Sequence, residues 1–395
     1  MLVEGTAMPR KCFLGTAVVA ISIATVASAT AQGTVKVGMV MPMTGPLAAA
    51  GQQVIAGARL YIKQHGDRVA GKQIELIVRD DASSGETGKR LIQELVVNDK
   101  VDVIGGGLTA DLIPSAPLLT EAQKPTVIML SSTTAVVEKS PFFVRTSCTL
   151  AQSSAIMANW AVKNRLSKAV TLVTEFAPGL EAEETFTNNY KAGGGQLVEA
   201  IRVPLRSPDF APFLQRVKDA SPQALFVFIP STQAAAFAKQ FVERGLDKAG
   251  ITLIGPGDLT DDEALQNMGD AILGTVTAHF YSAAHASALN KAFAEAYQQE
   301  AKARANFMAV SGYDGMHLIY EALKKTGGSA DGKTLVAAMK GMSWESPRGP
   351  MSIDRDSGDV VHNIYIRKVE KVDGELRNIE FETFGNVRDP RVAAK

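Results

Sequence analysis

The chain has 395 residues, 46% hydrophobic and 21% charged, which suits two or three packed domains and not a disordered chain. Lys plus Arg and Asp plus Glu each number 41, which argues against a nucleic-acid binder or a basic membrane-surface protein working through bulk charge. The two cysteines, Cys12 and Cys148, are too few and too far apart for a zinc ribbon or a dithiol redox pair.

The first segment reads as a targeting signal. Arg10 and Lys11 precede an apolar stretch at 12–26, and Ala27-Ser28-Ala29-Thr30-Ala31 supplies the small residues a signal peptidase reads. Residues 1–31 are expected to be a secretory signal peptide, cut after Ala29 or Ala31. The stretch is short and rich in Ala, Ser and Thr, which disfavours a transmembrane anchor. Cys12 lies before the apolar stretch, a poor place for lipid attachment. The exported chain would keep only Cys148, so its core and not an intrachain disulfide must hold it.

Strands and helices then alternate. Strands are predicted at 35–41, 74–78, 101–105 and 126–130. Between them, Val54, Ala58 and Tyr61 recur at helical spacing, and helices follow at 85–98 and 111–123. A second block holds strands at 169–174, 198–203, 224–229 and 252–254, with helices near 155–162, 180–192, 209–219 and 233–244. Strand starts about 25–39 residues apart are the spacing of strand–helix–strand units. The uninterrupted apolar strands suit parallel sheets covered on both faces, so two doubly wound α/β lobes are expected. Helices near 288–303, 311–325 and 334–339 come next. The tail alternates over 364–372 and 376–384 around Asp373-Gly374, a hairpin signal.

No catalytic motif emerges. A Gly-x-Ser-x-Gly elbow and an i, i+4 histidine pair are both missing from the sequence. Thr260-Asp261-Asp262-Glu263 reads better as a helix N-terminus with acids facing its dipole than as a cation or acid/base site. The informative loops follow the carboxyl ends of strands, where doubly wound sheets bind ligands. They are Met41-Pro42-Met43-Thr44-Gly45-Pro46, Gly105-Gly106-Gly107-Leu108-Thr109-Ala110-Asp111 and Leu130-Ser131-Ser132-Thr133-Thr134. The last two join hydroxyls to a helix start, which suits a carboxylate and equally suits plain capping. Asp80 and Asp81 are expected to fix a turn, Arg145 to make a structural salt bridge, and Trp160 and Trp344 to pack. Phe176 either packs in a lobe core or, as its loop position favours, lines a cleft. Tyr313 and Asp314 either line such a cleft or pack against the helix that starts there.

Residues 35–41 followed by Thr44-Gly45-Pro46-Leu47-Ala48 and Gly51 resemble the opening of type I periplasmic solute-binding proteins of ABC importers, the leucine/isoleucine/valine-binding group. Arg79-Asp80-Asp81-Ala82, Val103-Ile104-Gly105, Phe143-Val144-Arg145-Thr146, Pro208-Asp209-Phe210 and Gly255-Pro256-Gly257-Asp258 match in order. The resemblance implies two Rossmann-like lobes joined by three crossovers, closing on a solute. It places the first lobe at 34–149 plus 281–348 and the second at 150–280 plus 349–395. Carried over, Thr109, Ala110, Ser131, Ser132 and Thr133 would hold a ligand carboxylate. Phe176 would offer an aromatic wall, and Asp258 or its neighbour Gly257 would meet an α-ammonium. Amino-acid binders of the group often have Ser where Ala110 stands, Tyr where Phe176 stands and Tyr near Ser231. Met43 and the Phe176-Ala177-Pro178-Gly179 loop would make the cleft more apolar.

The expected function is therefore capture of a small carboxylate, such as a branched-chain amino acid, for an inner-membrane ABC permease. The alternatives are a receptor for an aromatic acid or amide, and a periplasmic sensor. The protein is expected to be a periplasmic monomer, to be no enzyme, and to need no metal, cofactor or nucleic acid. A rival reading, an exported amidase using Ser131 or Thr133, finds no histidine close by in sequence.

Overall fold

The computed structural model describes residues 1–8, 33–206 and 209–393. The basic and apolar parts of the expected signal peptide and its cleavage site, together with Pro208 of the Pro208-Asp209-Phe210 match, lie outside the described residues. Residues 1–8 are exposed and carry no helix or strand.

The first sheet is built from β1 (Thr34–Met41), β2 (Arg68–Val69), β3 (Lys72–Asp80), β4 (Val103–Gly106), β5 (Thr126–Ile128) and β6 (Phe143–Arg145). Their order is β2-β3-β1-β4-β5-β6, and all pairs are parallel except the small β2–β3 hairpin. Helices α1 (Ala48–His65), α2 (Gly85–Val97) and α3 (Thr109–Glu121) make the crossovers. β1 sits centrally, so Val35, Val37, Met39, Val40 and Met41 are all buried.

Between β6 and the second sheet lies α4 (Leu150–Lys163), which packs on α5 (Ala177–Ala192). The second sheet has a parallel half made of β7 (Lys168–Thr174), β8 (Gln196–Val203), β9 (Ala224–Phe228), β10 (Thr252–Pro256) and β11 (Val276–His279). Helices α6 (Ala211–Ala220) and α7 (Ser231–Glu243) serve this half. The chain then returns to the first lobe as α8 (Ala288–Ala301), α9 (Phe307–Lys325) and α10 (Gly332–Met339). The α9 helix lies on α1 at very close range. A Cβ on Gly312 would stand 2.1 Å from the Val54 carbonyl oxygen, and one on Gly57 would stand 1.9 Å from that of Ala309.

The antiparallel half of the second sheet is β12 (Ser343–Ser346), β13 (Gly349–Ile353), β14 (Val360–Val372) and β15 (Glu375–Val387). The predicted Asp373-Gly374 turn closes β14 onto β15, with φ of 52° and 84° at its two residues. Because β12 pairs with β13, the lobe boundary expected at 348 falls inside this hairpin. Trp344 of β12 still packs into the core of the first lobe.

The three crossings are tied together by one buried side chain. Arg348 pairs with Asp314 at 3.0 Å and donates to the Thr146 and Ser147 carbonyls at 2.6 and 3.3 Å. Its guanidinium also lies 4.6 Å from the centre of the Phe280 ring. Segments from the first, second and third crossings thus meet at a single cation. Asp314 is buried there, while Tyr313 packs edge-on to Tyr61 and donates to Gln64, so both serve packing and not the cleft.

Candidate ligand cleft

The loops at the carboxyl ends of the parallel strands of both sheets face one another across a cavity of about 450 Å³. That is within the ~300–1,000 Å³ typical of small-molecule sites. From the first lobe come Pro46, Leu47 and Ala50 after β1, Ser83 after β3, Thr109 and Ala110 at the start of α3, and Leu130, Ser131 and Ser132 after β5. From the second come Phe176, Ala177 and Pro178 at the start of α5, Leu205, Phe228, Pro230, Ser231, Thr232 and Asp258.

The first-lobe wall carries the polar donors. Ser131 Oγ and Thr109 Oγ1 share a hydrogen bond at 2.7 Å, and Thr109 donates onward to Thr133 Oγ1 at 3.0 Å. Thr109 and Ala110 open α3, and the first amides of a helix have no partner within it. The loop is held from behind by Arg145, which donates to the Ser131 and Thr133 carbonyls at 2.7 and 2.8 Å and pairs with Asp359 at 2.8 Å. The expected structural salt bridge of Arg145 is therefore present. It also fixes the shape of the ligand loop from the rear.

Two expected site residues stand away from the cavity. Thr133 is 7% exposed and its hydroxyl faces Thr109 and not the cavity, because Arg145 draws its carbonyl backward. Met43 packs into the first-lobe core, and its N–H goes to Asp80. Asp80 also accepts from Thr44 and Ala82, so it ties the loop after β1 to the turn after β3. Burial works against its charge, but these hydrogen bonds hold its carboxyl below the usual range. Asp81 and Asp111 lie side by side behind the same loops. Burial raises both, with the charge of Asp80 adding to the shift of Asp81 and that of Asp81 to the shift of Asp111, so the pair retains a proton.

The second-lobe wall is mostly apolar and aromatic, with Ser231, Thr232 and Asp258 as its polar side chains. Phe176 precedes α5 and stacks on Phe228, with ring centres 5.9 Å apart and planes 19° from parallel. The sequence alone pointed to Phe176, Ala177 and Pro178. It missed Phe228, whose β9 strand reads as uniform core, and Leu205, in a stretch without periodicity. Asp258 follows β10 and lines the cavity. Gly257 does not, since a Cβ there would stand 1.7 Å from the His279 ring and 2.4 Å from Arg367. Burial pushes the Asp258 carboxyl up to about 7, with Arg367 opposing the shift.

The Thr260–Glu263 acids form no ligand site and open no α-helix. Asp261 accepts from the Glu263 and Ala264 amides at the head of a short 3₁₀ turn, and Asp262 is buried near Arg367 and bonded to Asn378. No cluster among the described residues could hold a metal ion, and none of the described helices is long and apolar enough to cross a membrane.

The lobes also touch across the cleft. Thr232 donates to the Pro46 carbonyl at 3.1 Å, and Gln53 donates to Glu263 at 2.7 Å. Thr134, just past the ligand loop, donates through N–H and hydroxyl to Glu181 at 2.9 and 2.7 Å.

Residues 34–375 match the family model of the periplasmic binding proteins. The chain belongs to that family. It is 39% identical to a Leu/Ile/Val-binding protein homolog 6 from Brucella suis biovar 1, over 93% of this chain and 96% of the relative. Among solved structures, a solute-binding protein of an ABC transporter from Rhodopseudomonas palustris BisB5, in complex with 3,4-dihydroxybenzoic acid, is 59% identical. That match covers 91% of this chain and 99% of the other, with a TM-score of 0.89. A second, from R. palustris HaA2 in complex with p-hydroxybenzoic acid, is 38% identical over 92% and 100%, with a TM-score of 0.88. This periplasmic binding protein is thus a solute-binding receptor of an ABC transporter and not an enzyme. Its family implies a periplasmic location.

Proposed function

We propose that the solute is an aromatic carboxylate, exported capture of which is served by the N-terminal signal sequence. The observation that carries this reading is the asymmetry of the cleft. The Thr109, Ser131 and Ser132 hydroxyls and the first amides of α3 gather on one wall, and the stacked Phe176–Phe228 pair with Pro178, Pro230 and Leu205 makes most of the other, beside Ser231, Thr232 and Asp258. A carboxylate would dock at Thr109, Ala110, Ser131 and Ser132, where α3 offers its amides. A flat ring would fill the space against Phe176 and Phe228. The 59% identical R. palustris protein, solved with 3,4-dihydroxybenzoic acid, supports the same class. Closure of the second lobe would bury the ring and present the permease with a distinct surface.

A branched-chain amino acid is the second reading, favoured by the names of the Brucella relatives and by Asp258 as an ammonium partner. The test is a thermal-shift screen of refolded, ligand-stripped protein against benzoate, 4-hydroxybenzoate, coumarate, leucine, valine and phenylalanine. Ligand that binds the folded state raises Tm by linkage. Shifts with the aromatic acids are expected. Shifts with leucine and valine alone would overturn the reading.

A further inference from the structure

We propose that Asp258 sets the specificity of the cleft by accepting a hydrogen bond from a hydroxyl on the ring of the bound acid. This rests on the aromatic-carboxylate reading and names which members of that class are selected.

Asp258 is the only charged side chain lining the cavity among the described residues. Its carboxylate receives no hydrogen bond from another side chain or from another residue's amide, whereas one oxygen each of Asp261 and Asp262 accepts such bonds. Arg367, the cation that acts on it, is occupied elsewhere. It donates to the Tyr281 carbonyl, to Thr277 at 3.1 Å and to Thr260 at 3.4 Å, and it faces Asp262 at 3.8 Å. Asp258 therefore presents open acceptor positions to the solute.

The chemistry of those positions limits what can meet them. A ligand carboxylate placed there would face a like charge, so it goes to the hydroxyl wall of the first lobe. The opposite end of the ligand must then bring a donor. An ammonium brings three N–H groups, and a buried one needs an acceptor for each. On Asp258's side of the cleft Phe176, Phe228, Leu205 and Pro230 supply no side-chain acceptor, and besides Asp258 only the Ser231 and Thr232 hydroxyls remain among the described residues, Thr232 being already engaged with the Pro46 carbonyl. A ring hydroxyl brings one O–H and needs one acceptor, which Asp258 provides. Burial raises the Asp258 carboxyl, as expected of an acid with few donors around it.

The experiment is isothermal titration of the ligand-stripped wild type, Asp258→Ala and Asp258→Asn with benzoate, 4-methoxybenzoate, 4-hydroxybenzoate and 3,4-dihydroxybenzoate. The wild type is expected to bind at least one hydroxylated acid about 10-fold or more tighter than benzoate and 4-methoxybenzoate, the usual weight of a hydrogen bond to a charged acceptor. In Asp258→Ala that ratio collapses below about 3-fold, while benzoate affinity moves by less than that. Asp258→Asn, which keeps an acceptor oxygen, retains part of the ratio and controls for folding. An unchanged ratio in Asp258→Ala, or equal loss of benzoate and hydroxybenzoate, overturns the proposal. Equal wild-type affinity for benzoate and its hydroxylated forms overturns it while leaving the aromatic reading intact. Binding of leucine with no aromatic acid overturns both.

Discussion

Asp81 and Asp111 illustrate how a residue behind the cleft can govern the protein without touching solute. Both are buried, burial raises both, and Asp81 raises Asp111 further. Unfolded, each would lose its proton near pH 4. Folded, the pair keeps a proton to higher pH, so the folded state binds more protons than the unfolded chain over that window. Stability is therefore expected to fall as pH rises from about 4 through the folded pKa values, and to level off above them. Asp111→Asn should remove the share of this dependence that belongs to Asp111 and leave that of Asp81, which burial raises on its own. The amide oxygen can still accept from the Leu108 N–H that Asp111 holds at 3.0 Å, and its NH₂ can donate to Asp81. Ligand-free Asp111→Asn should match the wild type at pH 5 and exceed it by about 2 kcal/mol at pH 9, read by urea unfolding. A difference independent of pH would show that the two carboxyls share no proton. At this scale the sequence was partly readable. A hydroxyl-rich loop after a strand is visible in Ser131 and Ser132, and Phe176 follows a clear strand end. Thr133 and Met43 stand off the cavity lining, and their backbone groups are claimed by Arg145 and Asp80, partners 12 and 37 residues away that no local pattern shows.

Elements of high regularity were legible, and short ones were not. The alternating apolar strands, the long helices and the Asp373-Gly374 hairpin all stand where their patterns put them. β6, β11, β12 and β13 are three to five residues long and exist because a neighbouring strand offers them an edge. Ser343-Trp344-Glu345-Ser346 carries no strand signal of its own, which is why the lobe boundary was drawn through its hairpin. The α1–α9 contact makes the same point about helices, since its closeness depends on residues with no side chain. Gly312→Ala would drive a methyl group into the Val54 carbonyl, and backbone can yield only by parting the two helices. A loss of about 1–3 kcal/mol is expected, the usual cost of overpacking. Gly66→Ala, where a Cβ meets nothing but φ is 83°, gives a comparison limited to backbone strain. Denaturant unfolding of both variants separates the two causes; an unaffected Gly312→Ala would mean that the helices are not held at this distance.

At the scale of the whole molecule, affinity is shared between solute contacts and contacts that one lobe makes with the other. Arg348 gathers the three crossings, so it belongs to the hinge in either position of the lobes. The Gln53–Glu263 bond differs, because its partners stand on opposite sides of the cleft and opening it would part them. A ligand that prefers the closed state gains whatever stabilises that state, whether or not the stabilising group reaches the ligand. Glu263→Ala is thus expected to weaken binding of every solute by one common factor, roughly 3–10-fold, since a hydrogen bond to a charged group is lost. The small-angle scattering radius of the unliganded variant should shift toward a more open form. Gln53→Ala should act alike, and the double variant should be no weaker than either single one, as expected when both report one interaction. The contrast with Asp258 is decisive: a group that reads the solute changes the ratio of hydroxybenzoate to benzoate affinity, whereas a group that latches the lobes leaves the ratio fixed. If Glu263→Ala alters that ratio, its carboxylate senses the solute, and the latch is not a separate device.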